Sequence, residues 1–285
     1  MVAANPIYGA TGFLKQRQRN RGYGGIADVC PLLPVNGAIS AKSVKGSGPD
    51  CDFLFVNPGA GCLTVAIGAI SGPYPQTRSA CALAARTIGR RARMSDTPSR
   101  VLGRLHNNLA RWNDLMPEPG LNCSAVCCLF DLERGVMRYA NGDHPSPVAW
   151  TRSGQRVEPG CVGEVIGLSF LPERNWHKRS EELCIEERQI ALGDLQRIIY
   201  YTRGIVGAAT AFLGEPADRY LSDLMDASTE FSIEDQLDTL LAGTLGRLAN
   251  AADCHQDVTL LGVDVIRLRA GADPAAAFSR RLVGL

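Results

Sequence analysis

The sequence lacks an excess of charge of either sign and a hydrophobic run of membrane-spanning length. Its 285 residues include 30 basic and 29 acidic side chains, which give a formal net charge of +1. A balance this close to neutral provides no overall field to attract nucleic acid or an anionic membrane. No apolar stretch reaches the roughly 20 residues that cross a bilayer. We therefore expect no nucleic-acid or membrane partner, and expect protein partners to be selected by local surfaces.

The ten cysteines also lack the spacing of a metal site. Cys62, Cys81, Cys127 and Cys128 lie within apolar runs, and no Cys-x-x-Cys pair or histidine spacing completes a set of ligands. We expect no signal peptide ahead of them. The sequence therefore predicts reduced, mostly buried thiols and a cytoplasmic protein.

Length and composition fit one large domain. With 45% hydrophobic residues the chain can bury a sizeable core. We predict an N-terminal extension over residues 1–36, a folded domain over residues 37–268, and a tail or short helix over residues 269–285. The extension carries a basic cluster at residues 15–21, which we interpret as a solvated, partly ordered segment.

Hydrophobic periodicity predicts strands and helices in a mixed order. The apolar run over residues 63–72 is the clearest buried strand, and two amphipathic helices follow it, the first over residues 76–93 and the second after residues 96–99. Three short strands are predicted as an antiparallel meander at residues 124–132, 136–141 and 148–152. Further predicted elements are strands at 38–44, 51–56, 181–190 and 257–268, and helices at 217–225, 233–248 and 274–285.

Three buried apolar runs end or begin in short polar motifs. The first ends at residues 68–72 as Gly-Ala-Ile-Ser-Gly, the second at 201–204 as Tyr-Thr-Arg-Gly, and the third begins at 256–260 as Gln-Asp-Val-Thr-Leu. Strands with this arrangement can direct three ends towards one site. We therefore expect the three motifs to meet.

These motifs resemble those of the metal-dependent serine/threonine protein phosphatases (the PPM or type 2C family), particularly the bacterial branch that regulates sigma factors and sporulation. The family has Gly-Asp-Val-Ser-Gly, Tyr-Thr-Asp-Gly and Asp-Asp-Ile-Thr-Leu at the corresponding places. Residues 139–145 likewise resemble the family's Asn-Ala-Gly-His-Pro-Pro segment. The resemblance implies an α+β fold, a four-layer αββα sandwich of two antiparallel sheets flanked by helices. It also implies that Ala69, Arg203 and Gln256 stand where the family has metal-binding aspartates.

The three replacements remove the chemistry that the family requires. Ala69 offers no ligand, Arg203 places a fixed positive charge where cations should bind, and Gln256 keeps only a neutral oxygen. We therefore expect no catalytic residue and no metal cofactor. The resulting hypothesis is a pseudophosphatase that serves as a regulatory or binding module for a protein partner, such as a phosphoprotein regulator.

An active phosphatase with rearranged Mn²⁺ or Mg²⁺ ligands is the alternative. A residual site would draw on nearby residues, namely Asp50, Asp52, Gly68, Asp143, His144, Gly204 and Asp257. Two roles are open for Arg203. We expect it either to form a salt bridge with Asp257 or Asp52, or to bind a phosphorylated partner with His144 as a second contact.

Overall fold

Two antiparallel β-sheets lie face to face in a computed structural model, which describes residues 39–59, 61–73, 76–91, 96–113, 120–161, 163–167, 184–213, 217–247 and 255–266. The strands are β1 (Ile39–Val44), β2 (Cys51–Gly59), β3 (Cys62–Ser71), β4 (Asn122–Asp131), β5 (Val136–Gly142), β6 (Val148–Thr151), β7 (Arg156–Val157), β8 (Ile166–Gly167), β9 (Glu187–Ala191), β10 (Leu195–Tyr201) and β11 (Val258–Asp264). The helices are α1 (Gln76–Arg91), α2 (Pro98–Asn113), α3 (Arg203–Leu213), α4 (Asp218–Ala227) and α5 (Ile233–Thr244), and a 3₁₀ turn (Leu245–Arg247) follows α5.

The first sheet has the strand order β1-β11-β10-β6-β7, and the second has the order β2-β3-β4-β5-β9, with β8 paired to β4. All of these neighbouring strands pair in the antiparallel sense. Long apolar strands can be buried in this way only if both faces of each sheet are covered.

Three apolar layers cover those faces. One lies between the two sheets, a second joins the second sheet to α1 and α2, and a third joins the first sheet to α3, α4 and α5. The result is a four-layer αββα sandwich, which confirms the predicted fold class.

The central strand β3 shows why its sequence is a continuous apolar run. Val65 and Ile67 face the layer between the sheets, while Ala66 and Ile70 face α1 and α2. Successive side chains on a strand point to opposite faces, so a strand covered on both sides needs apolar residues throughout. The same alternation directs Ala69 towards the space between the sheets.

Four of the five helices agree with the predictions. The predicted apolar stripe of α2 is buried at Val101, Leu102, Leu105 and Leu109. At the start of α5, the Ser232 hydroxyl accepts a hydrogen bond from the backbone N–H three residues later, which is a standard N-cap.

One prediction of secondary structure was wrong, and one helix was missed. Strand β6 does not continue a meander with β4 and β5, because it pairs with β10 in the first sheet. The Asn141 side chain closes the preceding turn by bonding both backbone groups of His144, and the following prolines supply no N–H for a ladder. Helix α3 was not predicted at all, so Arg203 begins a helix as well as following a strand.

Other predictions concern thiols, membrane segments and the chain ends. All eight described cysteines are free thiols, and six of them are buried. Among the described helices, none has the length and apolar character needed to cross a bilayer. The basic cluster at 15–21 and the helix at 274–285 lie outside the described residues.

Gly68 provides a test of how tightly the second sheet is packed. A Cβ atom at this position would lie 2.4 Å from the Ser124 carbonyl oxygen and 2.6 Å from the Phe53 ring. Gly68→Ala should lower the free energy of unfolding by about 1–3 kcal/mol, because the neighbouring backbone has to move. Urea denaturation measures this change. The matched Gly246→Ala change meets no atom within 4 Å and should cost far less; equal costs would contradict the packing argument.

Candidate functional site

One end of the layer between the sheets encloses a cavity of about 250 Å³. Polar residues replace the apolar core here: Asp52 lies in β2 of the second sheet, while Thr202 and Asp257 adjoin β10 and β11 of the first sheet. The lining consists of Asp50, Asp52, Ala69, Ser71, Asn122, Cys123, Ser124, Asp143, Val165, Arg203, Gly204, Gln256 and Asp257. The structure therefore places the three motif positions, Ala69, Arg203 and Gln256, around one cavity.

Asp257 is the most deeply buried of the cavity carboxylates, with 1% of its surface exposed. Its Oδ1 atom accepts a hydrogen bond from the Gly46 N–H at 2.9 Å and lies 2.8 Å from the Lys45 ammonium. Its Oδ2 atom accepts from the Asp52 N–H at 3.2 Å. A buried charge is costly unless it is paired and hydrogen-bonded, and Asp257 obtains both from the protein itself.

Asp52 faces Ala69 across the β2–β3 ladder. Its carboxyl Oδ2 accepts a hydrogen bond from the Thr202 hydroxyl at 2.7 Å, and that hydroxyl accepts one from the Thr259 N–H at 2.9 Å. Burial raises the pKa of Asp52 well above its ordinary value, and the negative charge of Asp257 raises it further. Protonation of Asp52 is therefore favoured relative to that of an exposed aspartate.

Arg203 forms a different ion pair from either of those expected. Its Nη2 atom donates to both the carboxylate and the backbone carbonyl of Asp143, each at 2.8 Å, and not to Asp257 or Asp52. The expected partners were wrong because α3 begins at Arg203 and the guanidinium lies at the cavity rim, with about half of the side chain exposed. Asp143 has a positive φ of 51°, an uncommon conformation that aspartate tolerates better than most residues.

Gly204 and Gln256 complete the rim. A Cβ atom on Gly204 would lie 1.9 Å from the Asp257 carbonyl oxygen, so the start of α3 can approach β11 only with glycine at this position. The Gln256 amide donates to the Asp50 carboxylate at 3.3 Å in an exposed part of the site.

Two predicted site residues do not line the cavity. Gly68 packs against Phe53 and the backbone of β4. His144 is buried, and among the described residues its Nε2 atom has no hydrogen-bond partner. The pKa of His144 is lowered to about 4, mainly by burial and in smaller part by the positive charge of Arg203. His144 is therefore neutral near pH 7 and does not provide a charge for an anion.

Residues 59–266 match the family model described as stage II sporulation protein E (SpoIIE). The chain belongs to this family. The match covers most of the sequence and confirms the resemblance to the phosphatase branch described above. No curated protein matched the sequence.

Solved structures place this SpoIIE-family chain among type 2C phosphatase folds. The SiaA-PP2C domain of Pseudomonas aeruginosa aligns with a TM-score of 0.62 and 16% identity, over 80% of this chain and 86% of that one. The phosphatase domain of SpoIIE from Bacillus subtilis, solved with a fragment of its regulatory domain, aligns with a TM-score of 0.58 and 13% identity. The alignment covers 79% of this chain and 63% of that one. The RsbU and RsbW domains of Rv1364c from Mycobacterium tuberculosis align with a TM-score of 0.58 and 16% identity. The alignment covers 82% of this chain and 62% of that one.

Sequence reasoning missed several residues of this SpoIIE-family site. Lys45 lies outside every motif, and Thr202 lies within the Tyr-Thr-Arg-Gly motif, which does not reveal its role. Both roles depend on contacts, with Asp257 and Asp52 respectively, that are more than a hundred residues distant in sequence. Ser124 was detectable only as the β4 residue opposite Ala69, which requires the strand register.

The arrangement fits poorly with a divalent cation. Mg²⁺ and Mn²⁺ require several oxygen ligands directed at one point, usually from carboxylates. Within the described ranges, no group of three or more His, Cys, Asp and Glu side chains is arranged to hold a metal ion. The Asp257 and Asp143 carboxylates are bound by Lys45 and Arg203 instead.

The raised pKa of Asp52 predicts a pH-dependent stability. The folded state holds the Asp52 proton more tightly than the unfolded chain, whose aspartates titrate near pH 4. The contribution of Asp52 protonation to the free energy of unfolding is complete below about pH 4. It is lost as pH rises towards the folded-state pKa, at up to about 1.4 kcal/mol per pH unit. Asp52→Asn keeps an acceptor for the Thr202 hydroxyl and removes this titration.

The variant should therefore gain stability relative to the native protein as pH rises above about 4. Urea unfolding at several pH values measures the difference. Lys45, Cys51 and Asp257 are the neighbouring ionisable groups, and all remain in the variant. The exposed Asp223→Asn change is the control. A pH-independent difference for Asp52→Asn would show that this carboxyl titrates normally.

Proposed function

We propose that this SpoIIE-family domain is a pseudophosphatase that serves as a regulatory or binding module. The observation that carries the proposal is the pairing of the cavity carboxylates with the protein's own cations. Lys45 lies 2.8 Å from Asp257, and Arg203 lies 2.8 Å from Asp143. On β3, the position that corresponds to a metal-binding aspartate of the family is Ala69, whose side chain has no donor atom.

Electrostatics supports a loss of metal binding. Two like unit charges about 4 Å apart repel by roughly 4 kcal/mol at the effective dielectric typical of a protein surface, and a dication doubles that value. Binding a cation at this cavity would therefore require Lys45 and Arg203 to leave their carboxylates. The type 2C mechanism depends on bound metal to activate water and to neutralise phosphate, so its loss removes ordinary catalysis.

One observation favours the alternative, an active phosphatase with rearranged ligands. Asp50, Asp52, Asp143 and Asp257 all line the same cavity. If Lys45 and Arg203 moved away, these side chains would offer carboxylate oxygens, the ligands that Mg²⁺ and Mn²⁺ prefer, and a metal site would still require them to converge.

A metal titration with a repaired variant distinguishes the two functions. Calorimetry should detect no tight Mn²⁺ or Mg²⁺ binding to the native domain. The triple variant Ala69→Asp, Arg203→Asp, Gln256→Asp should bind metal, because it restores the acidic positions at all three strand ends and removes the Arg203 charge. Arg203→Asp alone is the matched control and should bind far more weakly.

Two results would contradict the proposal. Micromolar metal binding by the native domain, accompanied by hydrolysis of a phosphoserine peptide, would establish the alternative. A folded triple variant that binds no metal would show that the three positions do not form the family's metal site.

We further propose a phosphoprotein regulator as the partner, within a cytoplasmic sigma-factor pathway. The resemblance to the sigma-factor branch supports the pathway, and the solved chains that combine phosphatase-type domains with an RsbW domain or a regulatory fragment support a protein partner. The free cysteine thiols are consistent with a reducing compartment.

Arg203 is the cavity group best suited to recognise a phosphate. Guanidinium holds phosphate oxygens bidentately without metal, and Arg203 lies half exposed at the rim. Arg203→Ala should weaken binding of a phosphoserine peptide from this pathway, whereas Asp143→Asn should strengthen it by releasing the guanidinium. Asparagine also tolerates the positive φ at position 143.

Fluorescence anisotropy with phosphorylated and unphosphorylated peptides measures these effects. Exposed ion pairs contribute only about 0–1 kcal/mol to folding, so melting temperatures should change little. Unchanged phosphopeptide binding in both variants, or a large fall in melting temperature for Arg203→Ala without a change in binding, would leave the Arg203–Asp143 pair with a structural role only.

A further inference from the structure

A second cavity lies on the outer helical layer, away from the site between the sheets. It is a groove of about 570 Å³ between α1 and α2, here called the α1–α2 groove. Its lining consists of Leu83, Arg86, Thr87, Arg104, Asn107, Asn108 and Arg111. Six of these seven residues are polar and three are arginines, although the whole chain has a formal charge of only +1.

Helical spacing explains how the groove acquires this character. Arg104, Asn107, Asn108 and Arg111 follow the spacing i, i+3, i+4 and i+7, which places them on one stripe of α2. The opposite stripe of α2 is apolar and packs towards the second sheet. Every member of the polar stripe carries N–H donors, so the groove has a continuous row of donors along one wall.

The two helices are connected along this groove by a direct hydrogen bond. The Asn108 side chain donates to the Thr87 hydroxyl at 2.8 Å, and that hydroxyl donates to the Leu83 carbonyl at 2.8 Å. The first bond joins α2 to α1, and the second orients the Thr87 hydroxyl within α1. The arginines on either side therefore project from two joined helices, and a preformed backbone lowers the entropic cost of binding a ligand.

The positive charge in the groove is only partly neutralised. Arg104 pairs with Asp96 at 2.9 Å. Arg86 and Arg111 are exposed, and neither has an acidic partner among the described residues. Surplus cationic charge beside amide donors is complementary to carboxylate or phosphate oxygens.

We propose that the α1–α2 groove binds an acidic segment of a protein partner, whose carboxylates pair with Arg86, Arg104 and Arg111. The groove is far larger than a single inorganic anion. It has no aromatic side chain in its lining to stack a nucleotide base. The stripe from Arg104 to Arg111 extends for about 10 Å, a length spanned by roughly three or four extended residues with carboxylates at alternate positions.

A labelled oligo-glutamate peptide of about ten residues, longer than the stripe, is the probe. Fluorescence anisotropy with the full chain should detect binding at low salt that weakens as ionic strength rises. The double variant Arg86→Gln, Arg111→Gln should reduce the affinity by about tenfold, the effect expected for losing two charge-assisted contacts. Both side chains are exposed, so circular dichroism and melting temperature should stay unchanged.

The matched control is Arg152→Gln, Arg219→Gln, which removes the same charge from two exposed arginines outside the groove. It should bind the peptide almost as the native chain does. Equal losses in the two double variants would show that only net charge matters and would overturn the proposal. Tight binding of pyrophosphate that depends on Arg86 and Arg111, with no peptide binding, would also overturn it and assign the groove to a small anion.

Discussion

The carboxylate of Asp257 holds together the end of the sandwich where the cavity lies. It sits between the two sheets with almost no exposed surface, and it accepts hydrogen bonds from the backbone of Gly46 and Asp52 while pairing with Lys45. Thr202 adds a second link between the sheets through the Asp52 carboxyl. Because each link uses a polar atom that would otherwise be buried alone, the cavity can be polar without destabilising the core.

The same interactions determine what the cavity can do. A carboxylate already paired with an ammonium group and two N–H donors has little capacity left for a cation. Asp143 is likewise engaged by Arg203, and burial keeps the pKa of Asp52 high. In the proposed pseudophosphatase, the family's scaffold therefore surrounds a cavity whose carboxylates are paired with Lys45 and Arg203.

Much of the fold was predictable because local periodicity is strong in this chain. The apolar run of β3 and the buried stripe of α2 both appeared as predicted, since each reflects the faces that the element has to bury. Strand β6 and helix α3 were not predicted correctly. The partner of a short strand depends on the turn before it, and α3 follows a strand with only Thr202 between them, so its start has no separate signal.

The sequence by itself determined most of the elements in their order, the family resemblance and the absence of aspartate at Ala69, Arg203 and Gln256, because residue types and spacing are local properties. Only the tertiary structure decided which charges meet. Lys45 reaches Asp257, and Arg203 pairs with Asp143 rather than with Asp52 or Asp257. Such pairs depend on strand register and on where α3 begins, and a distance of a few ångströms between residues far apart in the chain is set by packing and not by pattern.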